Sequence, residues 1–273
     1  MREFELNGYD TVSLYARISE AEAPRASLLI IHGFGEHGAR YQDMAEYFTS
    51  RGITVLTFDN RGHGRSEGKR GVIKGWEEYR YDTRSAAAEL ARLCPVVPMF
   101  VFGHSLGGTI ALDYVLTSDT PPRGLIVSAP ALGTPGVSPI LLAASRVLSV
   151  LTPKLALHAG LDTKALSRDP QVVRDYEEDP LVHGLACPRL STELTAAQKR
   201  IFDRIGTLDC PLLICHGSDD RIAPGEPVER LYESTPVSDK ALRIFEGAYH
   251  ELHNDLIRDD IYRLYADWIL ERA

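Results

Sequence analysis

The feature that most constrains the fold of this 273-residue chain is a recurrence of short, largely apolar runs, at 28–31, 54–58, 99–102, 125–127, 212–215 and 242–245. A strand with one solvated face alternates apolar and polar residues, so an unbroken run signals a strand covered on both faces. Segments of helical period lie between most of these runs, at 41–51, 76–93 and 106–116, and another at 255–270 follows the last. Strand and helix in alternation imply an α/β fold, a mostly parallel sheet flanked by helices. The start departs from this rule. Residues 3–6 and 12–17, either side of Asn7-Gly8, alternate in the period of a hairpin and predict antiparallel strands.

The alternation fails across 131–207, where no clear strand intervenes. A connection of that length is usually functional. It predicts a mainly helical cap at 131–207, inserted into a core made of 1–130 and 208–273. The first part, 131–161, contains no acidic residue and only Arg146 and Lys154 as full charges. Apolar residues at 140, 141, 144, 147, 148 and 151 form one face of a helix and spill onto its flanks. Packing of that face on the core is the plain reading. The surplus also makes Ile140, Leu141 and Ala144 candidates for lining an acyl site, and the helix a candidate for peripheral contact with a lipid surface.

Charge and cysteine usage narrow the function classes. With 30 Lys+Arg against 38 Asp+Glu, a net charge of -8 and basic residues clustered only around 61–70, nucleic acid is not an expected partner. Cys94, Cys187, Cys210 and Cys215 lack CxxC spacing and read as reduced thiols. The N-terminus is charged within three residues and no run approaches the length of a membrane span, so a cytoplasmic protein is expected. His250-Glu251-Leu252-His253 is one residue short of the H-E-x-x-H zinc pattern, whose histidines must sit on adjacent helical turns; neither a metal nor a cofactor is expected.

A G-x-S-x-G pentapeptide occurs twice, at Gly64-Arg65-Ser66-Glu67-Gly68 and at Gly103-His104-Ser105-Leu106-Gly107. The chemistry needs the serine on a sharp strand-to-helix turn, where the helix N-terminus favours negative charge. The apolar run 99–102 leads directly into the second copy, and Leu106, Ile110, Leu112, Tyr114 and Val115 continue as a helix. The first copy stands well beyond the run 54–58 and is followed by Lys69-Arg70-Gly71, a polar turn. Ser105 is therefore the candidate nucleophile.

A serine hydroxyl near neutral pH needs an imidazole to take its proton, and usually a carboxylate to hold that imidazole. Of nine histidines only His250 and His253 follow the last strand-like run. His250 is nearer the strand end and is the preferred base, whereas His253 abuts Asn254, a candidate N-cap for the terminal helix. Asp219 and Asp220 both follow the run 212–215, and spacing alone does not separate them. The oxyanion of acyl transfer needs fixed N–H donors. The backbone of Leu106, just after the nucleophile, is one candidate, and Phe34 within His32-Gly33-Phe34-Gly35 is the other.

These motifs together resemble the monoacylglycerol lipase and lysophospholipase-like branch of the α/β-hydrolases, over almost the whole chain. His32-Gly-Phe-Gly-Glu-His37-Gly-Ala-Arg40-Tyr41 is similar to that family's HGxGEHxxRY loop, and Gly62-His-Gly-Arg-Ser-Glu-Gly68 to its GHGxSEG turn. Gly217-Ser-Asp-Asp220-Arg is similar to GSxDR, which implies Asp220 as the acid, and Gly247-Ala-Tyr-His250-Glu-Leu-His253 to GAYHxLH, which implies His250 as the base. The resemblance implies an α/β-hydrolase fold and hydrolysis of a small lipid ester, with Glu36, Arg40 and His253 around the glycerol hydroxyls. Glu36 and Arg40, four residues apart, also suit a structural ion pair. Broad carboxylesterase, lysophospholipase, peptidase, thioesterase and acyltransferase chemistry use the same triad.

Overall fold

The structure, a computed structural model, describes residues 1–133 and 139–273, with side chains described at all of these except 139–144. Two antiparallel strands open the chain, β1 (Arg2–Asn7) and β2 (Ser13–Ser19). β3 (Ala26–Ile31), α1 (Gln42–Thr49), β4 (Ile53–Phe58), α2 (Glu77–Leu93), β5 (Met99–His104), α3 (Leu106–Thr117) and β6 (Gly124–Ser128) then follow. The stretch after β6 holds α4 (Pro139–Leu151), β7 (Leu157–His158), α5 (Pro170–Glu178), β8 (Leu185–Ala186) and α6 (Pro188–Arg204). The chain ends with β9 (Leu212–Gly217), α7 (Glu226–Ser234), β10 (Lys240–Phe245) and α8 (Arg258–Leu270).

Eight strands form one sheet in the order β1-β2-β4-β3-β5-β6-β9-β10. The pairs β1/β2 and β2/β4 are antiparallel and the rest parallel. Successive side chains of a strand point to opposite faces, so each unbroken run feeds two cores. Leu29, Ile31, Val101, Val127 and Ile214 pack with Leu90 of α2 and Ile110 of α3. Leu28, Ile30, Phe100, Phe102, Ile126 and Leu213 pack with Phe48 of α1 and Tyr265 of α8. Each such fully buried side chain contributes about 1.5–3 kcal/mol relative to exposure. β10 departs from the two-sided expectation: it is an edge strand, and Arg243 and Ile244 are exposed.

Helix α3 is buried on every side from Leu106 to Leu116, which explains its lack of a polar stripe. Its one charged residue, Asp113, is paired by Arg200 of α6 (3.1 Å) and Arg80 of α2 (3.5 Å); an unpaired buried carboxylate would be costly.

The 131–207 stretch is mainly helical, with one addition. β7 and β8 pair as a two-residue antiparallel ladder, too short to show a period in the sequence. The stretch is tied to the loops above the sheet by the Gly35 carbonyl accepting from His183 N–H (2.9 Å) and the Gly71 carbonyl from Cys187 N–H (2.8 Å). His37 Nε2 also meets Asp179 at 2.8 Å. The candidate acyl-site residues Ile140, Leu141 and Ala144 fall on α4, but their side chains lie outside the described residues. At the other end, α8 begins at Arg258 with Ile257 at its N-cap, so Asn254 is not the cap expected of it; its side chain donates to Glu251 Oε2 (3.0 Å).

Candidate active site

Ser105 stands between β5 and α3 with φ 53° and ψ −118°. A non-glycine residue in such a region costs about 1–3 kcal/mol and persists only where its surroundings over-determine it. They do so here. Ser105 N–H donates to the Ser128 carbonyl (3.0 Å), and the Ser105 carbonyl accepts from Thr109 (3.2 Å) and Ala131 (3.0 Å). The flanking glycines serve close packing. A Cβ on Gly103 would strike the Gly107 carbonyl, and one on Gly107 would strike the carbonyls of Ile31 and His32. Ser66, in the other pentapeptide, is used up locally: its hydroxyl donates to the Asp59 carbonyl (2.5 Å) and accepts from Tyr15 N–H (2.9 Å).

The turn after β9 separates the two aspartates. Asp219 is exposed and accepts from the Ser218 hydroxyl (3.0 Å). Asp220 points inward, with Oδ1 accepting from the N–H groups of Ile222 (2.8 Å) and Ala223 (2.9 Å) and Oδ2 meeting His250 Nδ1 at 2.8 Å. Burial pushes the Asp220 carboxyl up, but the His250 imidazole and the hydrogen bonds outweigh it and hold the group below its usual value. An ionised Asp220 fixes the proton on Nδ1 and leaves Nε2 of His250 as an acceptor. His104, its ring 4.7 Å from that of His250, is driven well below the ordinary histidine value by burial and stays neutral.

Ser105, His250, Phe34 and Gly33 line one cavity of about 90 Å³, together with Leu161, Leu166 and Tyr176 from the 131–207 stretch. A second cavity of about 370 Å³ adjoins it through Leu161 and Tyr176. Leu106 is the first residue of α3, where a backbone N–H has no acceptor within its own helix. Gly33 N–H donates to Glu36 Oε1 (2.6 Å), while the N–H of Phe34 finds no acceptor among the described residues.

Glu36, Arg40 and His253 are placed differently from one another. Glu36 lines the cavity, with Oε1 also accepting from the Tyr41 hydroxyl (2.8 Å) and Oε2 from Arg40 (2.8 Å). Arg40 does not line it. Its guanidinium is shared between Glu36 and Glu251, the latter gripped through both nitrogens at 2.6 and 2.7 Å. Burial raises both carboxyls; at Glu251 the two-pronged Arg40 contact outweighs it and holds the group down, whereas at Glu36 burial prevails. His253 lies behind the cavity, fully buried and stacked on Tyr41 at 4.6 Å, with both ring nitrogens unbonded. The structure does not bring it to the cavity wall. Glu251, Tyr176, Leu161 and Leu166 line the cavity without having been singled out as site residues. Glu251, inside the His250–His253 tetrapeptide, carried one available signal, a charge next to the base.

The chain is similar to known proteins over most of its length. The family model described as Hydrolase_4, serine aminopeptidase S33, matches residues 22–257. A monoacylglycerol lipase of Mycolicibacterium smegmatis is 35% identical over 90% of this chain and 89% of its own length. A human monoglyceride lipase is 32% identical over 92% of this chain and 84% of its own. The crystal structure of a Paleococcus ferrophilus monoacylglycerol lipase superposes with a TM-score of 0.88 at 35% identity, covering 95% of this chain and 99% of that one.

Proposed function

The chain belongs to the Hydrolase_4 (serine aminopeptidase S33) family of α/β-hydrolases, in its monoacylglycerol lipase branch, and from that premise we propose that it is a serine carboxylic-ester hydrolase releasing a fatty acid from a monoacylglycerol. The observation that carries this reading is the strained Ser105 in one cavity with a His250 held by Asp220. Ser105 Oγ attacks the ester carbonyl as His250 Nε2 takes its proton, and the N–H groups of Phe34 and Leu106 receive the oxyanion. His250 then passes the proton to the departing alcohol oxygen. A water, deprotonated by His250, then attacks the acyl-Ser105 ester; His250 returns that proton to Ser105 Oγ as the acyl–oxygen bond breaks, and the acid is freed. The Ser105→Ala variant is expected to keep its melting temperature within a few degrees and to lose ester hydrolysis; wild-type turnover in that variant would overturn the mechanism.

The polar end of the cavity suits a hydroxylated leaving group. Each carboxylate oxygen has two acceptor sites. Glu36 Oε1 uses both and Oε2 one, so one acceptor remains for a substrate hydroxyl. A cavity of about 90 Å³ does not hold a long acyl chain; the adjoining cavity of about 370 Å³, lined by Leu161, Tyr176 and Val182 of the 131–207 stretch, which would then act as a cap, has room for more of it. On that stretch Val147, Val150, Leu151 and Leu157 are more than half exposed, a patch suited to peripheral contact with a lipid surface. Among the described residues no helix is long and apolar enough to cross a membrane, and the four free thiols support a cytoplasmic placement.

Aminopeptidase activity is the second reading, favoured by two glutamates at the cavity that suit a substrate ammonium. Both are already bonded to Arg40, which favours the ester. Comparing kcat/KM for 1-oleoylglycerol, a lysophospholipid, a short aryl ester and an aminoacyl anilide separates these classes.

A further inference from the structure

The loops carrying the base and one oxyanion donor leave the sheet at β10 and β3, with β5, β6 and β9 between them. Four strand spacings amount to roughly 19 Å, so the sheet alone does not fix one loop against the other. A chain of buried ionic hydrogen bonds spans the gap. Glu251, the residue after His250, grips Arg40 through both oxygens, at 2.6 and 2.7 Å. Arg40 also donates to Glu36 (2.8 Å), and Glu36 accepts the N–H of Gly33 (2.6 Å), the residue before Phe34. The side chains of Glu36 and Glu251 are 2% exposed and that of Arg40 10%. Behind them, Tyr41 and Asn254 take up further bonds of Glu36 and Glu251.

We infer that Glu251 is a positioning residue: through Arg40 and Glu36 it holds the His250 loop in register with the Gly33-Phe34 loop, so that base and oxyanion donor face the same carbonyl. The inference rests on the ester-hydrolase reading. A charged fork of this kind is geometrically specific as well as strong, and two buried carboxylates around one guanidinium make any slackening of it costly. Its effect falls on the chemical step. Substrate grip through the apolar wall of Phe34, Leu161 and Leu166 does not depend on it.

The test is steady-state kinetics of E251Q and R40K on a short aryl ester and on 1-oleoylglycerol, with melting curves. Glutamine keeps the shape of Glu251 but loses the ionic fork, and lysine keeps the charge of Arg40 but not its two-pronged geometry. A misplacement of about 1 Å costs up to about 100-fold. Both variants are therefore expected to lose about 10- to 100-fold in kcat on both substrates, with KM for the short aryl ester within about threefold of wild type. Should E251Q fail to fold, R40K carries the test alone. Unchanged kcat with only a lowered melting temperature would overturn the inference, as would a raised KM with kcat intact, which would make Glu251 a substrate contact. An inactive wild type on both esters would instead sink the ester reading.

Discussion

Single atoms decide the roles of residues that look equivalent in the sequence. Ser66 and Ser105 share a pentapeptide, yet the Ser66 hydroxyl is spent on two backbone partners while Ser105 sits strained at a cavity. Asp219 and Asp220 are neighbours, yet only Asp220 reaches the imidazole. The consequence is measurable. Asp220→Asn leaves the histidine in the wrong tautomer and is expected to lower kcat by about 10⁴-fold, by the behaviour of such triads, whereas Asp219→Asn changes kcat by less than about threefold. Steady-state kinetics on a short aryl ester reads both, and a reversed ranking would remove Asp220 from the mechanism. The residue-level expectation for His253 does not match its place: the ring is behind the cavity wall, stacked on Tyr41.

Elements show how far periodicity reaches. The unbroken runs at 99–102 and 212–215 became β5 and β9, because a two-sided burial writes itself into every residue. The run at 242–245 is interrupted by Arg243 and forms a half-exposed edge, the last strand in the sheet order. α4 poses a sharper case. Val147, Val150 and Leu151 are 58%, 74% and 71% exposed. If that face meets lipid, replacing all three by serine is expected to weaken binding to phosphatidylcholine vesicles and to cut kcat/KM for 1-oleoylglycerol at least about fivefold more than for a short soluble ester. Exposed substitutions of this kind change stability by within about 0.5 kcal/mol each, so the fold survives to be assayed. Equal losses on both substrates would make the exposed face of α4 plain surface.

At the scale of the molecule, the buried histidines govern acid stability. Burial lowers His32 and His253 to about 3 and drives His63 and His104 well below the ordinary value. In the unfolded chain each takes up a proton below about pH 6.5, whereas in the native state it does not until far lower. The unfolded state therefore binds more protons, and stability falls as pH drops from about 6.5 toward 3, by up to about 1.4 kcal/mol per pH unit for each such group. His253→Phe removes one of them and two unbonded buried nitrogens. It is expected to raise stability at pH 5 more than at pH 8 in urea melts and to leave ester turnover within about threefold. An equal shift at both pH values would mean that His253 is already charged in the fold, and a large loss of turnover would return it to the site.

Much of this molecule is legible in one dimension, because burial on two faces, helical period and a strand-to-helix pentapeptide are local patterns that composition and spacing record directly. The α/β class, the positions of the core strands and of α1, α2, α3, α4 and α8, and the reading of Ser105 over Ser66 all came from such patterns; α5, α6, α7 and the short β7/β8 ladder did not. Adjacent aspartates are beyond their reach, since residues one apart differ only in which way a turn points them, and resemblance alone favoured Asp220. The partnership of Glu251 with Arg40 spans 211 positions, and His253, only three residues from the base, stacks on Tyr41 outside the cavity lining. Those facts follow from how loops of distant strands pack above the sheet. Burial is a property each residue carries along the chain; a contact between loops exists only once the chain has closed on itself.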